Sequence, residues 1–574
     1  MSENTDVLSR SSQWKNLQQE VDLLVIGGGI TGCGVARDAV KRGMKVALVE
    51  MNDLAFGTSS RSSKLVHGGL RYLEHYEFSL VFEAVSERRI LMDLAPHLVN
   101  PLGFLFPVFD GHPHKLWFIN AGMWLYDGLS LFRSPKIHKK LSAKEVETLV
   151  PHLVTDGLKG APLYYDCSTD DARLTLENAI DAAEHGASVV PFCKAESFIK
   201  DENGRVCGAM VKDVFSAAVK EVRAKVVINA TGPWTDRTIT MSRPLESGPL
   251  LRPTKGVHIV VSAEKLKVPH AVVCLHPEDE RVLFALPWGD ETYIGTTDTD
   301  FPGDPATVAA TTDDVNYLID ATNAYFTGMQ ICKDDVRATW AGLRPLAAPP
   351  PKEGTVDESA VSREHQIIVG QDGLLSIVGG KLTTFRRMSA EAVDIASRLL
   401  QLSGGQVDLE ACSTEKDPLP GGVGWPDDDD HDKVASKIAE ASGGAVDEEV
   451  GRLLADSYGM RALKIAENCK KDPSLAEPII ESRLEIMGQV EWACTHEFAA
   501  SVSDVFIRRT QLFYRDVDQG LGAVEKVATR LQKMLGWSDD DKKQSIDAYQ
   551  EQVAQSRAWR NEEPEPASDD TMEK

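Results

Sequence analysis

No stretch of this chain reaches the ~18 consecutive apolar residues that a membrane-spanning helix needs. A positive excess is missing too. The formal net charge is −25, which argues against nucleic acid and against general attraction to anionic lipid. The nine cysteines are scattered, odd in number and never arranged as C-x-x-C, so neither a disulfide framework nor a zinc site is expected. They suit a reducing compartment. Residues Met1 to Glu20 hold Glu3, Asp6 and Glu20 and no apolar core, unlike a secretory signal or an Arg-rich transit peptide. Asp427 to Asp430 lacks the spaced ligands, glycine and terminal glutamate of a calcium loop, so no metal is expected. There is no internal repeat, and only one dinucleotide fingerprint. An enzyme drawing electrons from NAD(P)H through a second nucleotide domain would usually show two.

That fingerprint lies near the amino terminus. Val21 to Ile26 is a continuous apolar run, as in a parallel strand buried on both faces. Gly27, Gly29 and Gly32 follow with G-x-G-x-x-G spacing, and Ile30 and Thr31 fill the turn. The first glycine permits the tight turn, the second lets backbone approach a pyrophosphate, and the third lets the next helix pack on the strand. The helix continues through Ala36 and Ala39 and stops at Gly43. Lys45 to Val49 reads as the second strand, with Glu50 at its end, where a carboxylate can hold ribose hydroxyls and disfavour a 2′-phosphate.

Two further apolar runs end in glycine: Val226 to Ala230 before Thr231-Gly232-Pro233-Trp234, and Leu374 to Val378 before Gly379-Gly380-Lys381-Leu382-Thr383-Thr384. A helix opening at the second can face the flavin N1 and C2 carbonyl and stabilise reduced flavin. FAD therefore fits better than NAD. Thr58, Ser59, Ser60, Ser62, Ser63 and Lys64 begin only eight residues past Glu50, so this polar run is placed close to the cofactor as a source of donors.

The segments SSKLVHGGLRYLEHYEF, NATGPW, IGTTDTD, WAGLRPL and GGKLTTF together resemble the FAD-dependent glycerol-3-phosphate dehydrogenases, with the glycerol-3-phosphate oxidases close by. The resemblance is dense over about residues 20 to 400 and looser beyond. It implies an α/β chain with the glutathione-reductase-type FAD-binding fold (a Rossmann-like parallel sheet), a β-rich substrate domain and an α-helical carboxyl-terminal domain. It implies oxidation of sn-glycerol 3-phosphate to dihydroxyacetone phosphate. Electrons then go to a membrane quinone, or to oxygen with release of hydrogen peroxide in the oxidases. An amino-acid or amine oxidase of the same superfamily is a further reading, and a FAD-bound scaffold without activity another. A phosphate ester calls for planar bidentate cations. Arg344 and Arg71 are the leading candidates, with Arg363 beside them, Tyr72 as a possible pocket hydroxyl and Lys381 as a point charge. The proton of the C2 hydroxyl needs a base. A neutral histidine suits that task, and His258 is favoured over His67, which is read as support. Thr384 is placed at flavin or substrate.

The expected organisation is an extension over 1–17 and an oxidoreductase domain over 18–400. Its FAD part is discontinuous (about 18–105, 155–245 and 340–400), and its substrate part covers about 106–154 and 250–339. An acidic linker follows over 401–431, then a helical domain over 432–559 and a disordered tail over 560–574. Quinone reduction would require peripheral contact with a membrane, on the cytoplasmic side of a bacterial inner membrane or at the mitochondrial inner membrane. Lys115 to Phe132 is the candidate, because Trp117, Ala121, Trp124 and Leu125 share one helical face and basic residues flank it. A core helix is the competing reading. A homodimer is a further expectation.

Overall fold

The computed structural model describes residues 8–69, 77–111, 115–129, 135–245, 248–348, 365–402 and 409–562. Two large sheets share the chain. In the first, the strands Leu375–Val378, Val219–Asn229, Glu20–Ile26, Val46–Val49 and Ser188–Val190 lie side by side and run parallel. Helices Ile30–Lys41, Asp171–Glu184 and Phe385–Leu402 cover it. The fingerprint strand is buried at every position after Glu20, which explains its continuous apolar run. Ile26 pairs with both Val49 and Asn229, so the carboxyl ends of three strands meet where ligands of such sheets bind.

Among the described residues the second sheet contains eleven strands and is mostly antiparallel. Its functional centre is the pairing of Leu251–Ser262 with Val336–Ala347, in which Thr254 faces Arg344, Gly256 faces Gly342 and His258 faces Trp340. Strand Leu158–Ser168 belongs to this sheet, although it lies in a stretch expected to serve the FAD part. Strand Val336–Ala347 likewise joins the substrate sheet, beyond the boundary expected at 340. Backbone pairing decides this, and it leaves no trace in local residue composition.

The carboxyl-terminal region is helical, with Gly536 in the left-handed conformation ending Val524–Leu535 and a Ser538/Asp541 capping box opening Asp539–Arg557. Helices Ala462–Lys471 and Met487–His496 lie within it. Within the segment read as an acidic linker one turn is packed, while Asp427 to Asp430 is exposed. Pro420 to Gly422 is buried, and the Gly421 N–H donates to Glu177 Oε2 at 2.8 Å.

Candidate active site

One cavity of about 1440 Å³ runs between the sheets. Its walls bring together Gly27, Gly29, Ile30, Thr31, Glu50, Thr58, Ser59, Ser62, Ser63, His67, Gly232, His258, Arg344, Gly380, Lys381 and Thr383, residues spread over more than half of the sequence. Arg71, Tyr72 and Arg363 lie outside the described residues.

The fingerprint turn is shaped by contacts that exclude a side chain. Gly27 has φ +112°, and a Cβ there would meet the Ala230 carbonyl oxygen at 2.5 Å. A Cβ on Gly32 would come 1.9 Å from the Gly27 carbonyl oxygen, so Gly32 serves close packing and does not line the cavity. Glu50 sits beneath the turn and accepts from the Gly28 N–H at 2.7 Å and the Asn52 N–H at 2.8 Å. Burial holds its carboxyl above the usual range, against these two N–H donors.

The polar run 58–64 is clamped from both sides. Ser59 Oγ accepts from the Ile30 N–H at 2.9 Å, at the start of the fingerprint helix. Thr58 Oγ1 donates to the Leu343 carbonyl at 2.6 Å. Trp340 Nε1 donates to the Ser62 carbonyl at 3.1 Å, and the Tyr293 hydroxyl to the Ser63 carbonyl at 3.0 Å. Three of the residues expected as cofactor donors are therefore engaged elsewhere or turned away. The Ser62 hydroxyl is committed to Asp171 Oδ2 at 2.7 Å. Lys64 is buried against Asp171 at 2.7 Å, and Ser60 is buried outside the cavity. A lysine at this depth stays charged only with a carboxylate beside it, which is why it faces Asp171 and not the cavity.

His258 is 2% exposed, stacked on Trp340 with ring centroids 4.7 Å apart, and its Nε2 lies 2.9 Å from Ser63 Oγ. Nδ1 has no hydrogen-bond partner among the described residues. Burial pushes the imidazole well below its ordinary pKa, and the charges of Arg344 and Lys64 push the same way. Both effects favour the neutral imidazole. Gly295 stands opposite it, where a Cβ would meet the imidazole Cδ2 at 2.1 Å.

Arg344 donates through Nη1 to Asp298 Oδ1 at 2.8 Å and through Nη2 to Thr296 Oγ1 and the Thr297 carbonyl, each at 3.2 Å. Gly256 and Gly342, paired between the His258 and Arg344 positions, make the space. A Cβ on Gly256 would lie 2.8 Å from Arg344 Nη2, and one on Gly342 would lie 2.5 Å from the Arg61 carbonyl oxygen.

On the far wall, Lys381 precedes the turn Leu382–Thr384 that leads into Phe385–Leu402. Thr383 is buried, and its hydroxyl exchanges hydrogen bonds with the His67 backbone, accepting at 3.2 Å and donating at 3.3 Å. Thr384 is buried and does not line the cavity. His67 does line it, and the next residue is held by Tyr126, whose hydroxyl accepts from the Gly68 N–H at 3.0 Å.

Sequence reasoning missed several cavity residues. Arg61 lines the cavity with its guanidinium over Phe56, 5.2 Å from the ring centroid. It stands inside the serine run, and that position was its only signal. Thr296 and Asp298 stand in IGTTDTD, and Trp340, buried behind the cavity wall, in WAGLRPL, but nothing in those motifs alone announced their contacts with Arg344 and His258. Among the described residues, no cluster of three or more histidine, cysteine or acidic side chains is arranged to hold a metal.

Residues 22–386 match the family model described as FAD dependent oxidoreductase, and residues 412–542 the C-terminal domain of alpha-glycerophosphate oxidase. The aerobic glycerol-3-phosphate dehydrogenase of Staphylococcus epidermidis is 37% identical over 548 residues, covering 95% of this chain and 96% of that protein. That of Staphylococcus aureus is 38% identical over 547 residues, covering 94% and 95%. The crystal structure of glycerol-3-phosphate dehydrogenase from Bacillus halodurans complexed with FAD superposes with a TM-score of 0.77 at 31% identity, covering 96% of this chain and 98% of that one. The side-chain-free fingerprint turn, the carboxylate beneath it and the volume of the cavity all fit FAD.

Proposed function

We propose, from the premise that this chain belongs to the FAD-dependent glycerol-3-phosphate dehydrogenase family, that it oxidises sn-glycerol 3-phosphate to dihydroxyacetone phosphate and delivers the electrons to a membrane quinone. The observation that carries the reading is one cavity in which a dinucleotide turn, a histidine and a guanidinium converge.

Bound FAD supplies a two-electron acceptor for the hydride that leaves C2 of the substrate. The chain's own residues account for the rest. Arg344, oriented by Asp298 and Thr296, takes the phosphate, and a guanidinium held in this way offers a fixed fork to the dianion. Arg71, Arg363 and Tyr72 complete the substrate pocket in this reading, and Lys381 adds charge. His258 accepts the C2 hydroxyl proton at a ring nitrogen. Its depressed pKa keeps it in the accepting form, and stacking on Trp340 with the Ser63 contact fixes its plane. His67, held through its backbone by Thr383, supports the opposite wall.

The quinone part of the reading rests on helix Leu116–Leu129. It faces outward with Trp117 67%, Trp124 58%, Phe118 52% and Leu125 45% exposed, while Met123 and Tyr126 are buried. Lys136, Lys139 and Lys140 are exposed beside it. An aromatic face with a basic margin suits the interfacial region of a bilayer. Phe118, Ile119 and Leu125 also line the cavity, so an apolar acceptor on that face is near the site. No described helix is long and apolar enough to cross a membrane.

Activity on glycerol 3-phosphate and on glycerol, measured with a water-soluble quinone and with oxygen alone, tests the reading. We expect strong preference for the phosphate ester and little peroxide per substrate consumed. One peroxide per substrate, unchanged by quinone, would make oxygen the acceptor. Equal activity on glycerol would remove the phosphate site.

A further inference from the structure

One of the segments by which the carboxyl-terminal helical region reaches the cofactor half of the molecule lies against the loop after Glu50. The π-helical turn Asp504–Arg509 presents two consecutive arginines to a single carboxylate, Asp53. Arg509 grips both oxygens of Asp53, through Nη1 at 2.6 Å and Nη2 at 2.9 Å. Arg508 donates to the same carboxylate through Nε, and its Nη2 reaches Asp504 Oδ1 at 2.7 Å. Arg509 Nη2 also donates to the Glu497 carbonyl at 2.6 Å. All of these side chains are buried.

Asp53 sits in the loop 50–57, five residues of which, Glu50, Met51, Asn52, Phe56 and Gly57, line the cavity. The two residues after it bear directly on the fingerprint. Leu54 is fully buried and lies so close over Gly28 that a Cβ there would meet Leu54 Cδ2 at 2.7 Å. The Ala55 N–H donates to the Gly28 carbonyl at 2.9 Å, while the Gly28 N–H donates to Glu50. Ala55 has φ +61°, a conformation a non-glycine residue keeps only when its surroundings impose it. A purely stabilising contact at this boundary would be served as well by apolar side chains, because buried ion pairs return little net stability. What the bidentate grip supplies is fixed position.

We propose that Arg508 and Arg509 are positioning residues for the cofactor: by clamping Asp53 they hold loop 50–57 and, through Leu54 and Ala55, the glycine turn that receives the dinucleotide. The carboxyl-terminal region is in this account a part of the FAD site, although none of its residues lines the cavity.

The test uses the full-length holoenzyme and two variants. Arg509→Lys keeps the charge and loses the fork. Leu54→Ala removes no charge at all and leaves the ion cluster intact, so it reports on the relay even where a charge substitution fails to fold. For each, the FAD dissociation constant is measured by flavin fluorescence, and kcat and KM for glycerol 3-phosphate are measured at saturating FAD. We expect the dissociation constant to rise about tenfold or more in both, with kcat and KM within about twofold of wild type once FAD saturates. A dissociation constant within about twofold of wild type in both variants, with only a lower unfolding temperature, would reduce the clamp to ordinary structure and overturn the proposal. A shift confined to KM for glycerol 3-phosphate would overturn it too.

Discussion

His258 illustrates what a residue type gains from its neighbours. Alone in an apolar strand it would be an ordinary core histidine. Here Trp340 stacks on it, Ser63 fixes one nitrogen, and Gly295 leaves room for the ring. We expect His258→Asn to lower kcat by about 10²–10⁴-fold with FAD still bound, as loss of a general base does. The pH profile follows from the sign of the shift. Because the folded-state pKa is depressed below 6.5, the base form is present at neutral pH and is lost only well below 6.5. An acid limb in kcat/KM centred at or above 6.5 and not accounted for by the substrate's own phosphate titration would contradict this assignment. Arg344→Ala should raise KM for glycerol 3-phosphate about 100-fold, on the order of 3 kcal/mol, with FAD binding unchanged. Steady-state kinetics with flavin-saturated enzyme checks both quantities. That His258 and Arg344 share one cavity agrees with their selection from the sequence. Ser63 as a partner of His258 was not legible there, because the pair is separated by 195 positions and only the sheet brings them together.

Elements explain why short polar runs and isolated glycines hold such a site. The run 58–64 reads as a solvated loop by composition, yet it is the seam between the two sheets, bonded to Ile30 on one side and to Leu343, Trp340 and Tyr293 on the other. Its nearness to the cofactor site was legible from its distance to Glu50. Its engagement with Asp171 was not, since nothing local distinguishes a serine that pairs with a buried carboxylate from one that faces a ligand. Ser59→Ala removes the acceptor for the Ile30 N–H. It should cost about 1 kcal/mol of stability, as loss of a side-chain cap does, and weaken FAD binding, both measurable by thermal unfolding with and without added FAD. The Gly256–Gly342 pair is a further constraint. Gly342→Ala forces the strand away from the Arg61 carbonyl and should depress activity more than a one-carbon change on a sheet otherwise would. The helix Leu116–Leu129 carries its prediction on its outer face. Trp117→Ser with Trp124→Ser should reduce binding to vesicles while leaving oxidation with a soluble acceptor intact, as flotation and kinetics would register.

At the scale of the whole molecule, the parallel sheet and the helical carboxyl-terminal region were legible, because period and glycine placement mark them locally. The assignment of Leu158–Ser168 and Val336–Ala347 to the second sheet was not, since an apolar strand does not announce its partner. Nor was the burial of charge where the carboxyl-terminal region meets the rest: Arg173 donates to Glu497 at 2.8 Å, and Arg508 and Arg509 reach Asp53. Burial alone would raise the Asp53 pKa, but the two arginines overcome it and hold the carboxyl below its usual range. Breaking such a pair by removing one partner costs about 3–5 kcal/mol. Unfolding of the holoprotein should therefore be a single cooperative transition, with flavin release and loss of helicity coinciding. Two separated transitions would contradict the shared boundary.

The central claim is that one cavity presents bound FAD to a phosphate ester held by Arg344 beside a neutral His258. Anaerobic mixing of the purified holoprotein with glycerol 3-phosphate, followed by flavin absorbance, tests it most directly. The account predicts bleaching of the flavin band by glycerol 3-phosphate and none by an equal concentration of glycerol. A flavin that stays yellow with glycerol 3-phosphate, or that bleaches equally with both, would contradict it.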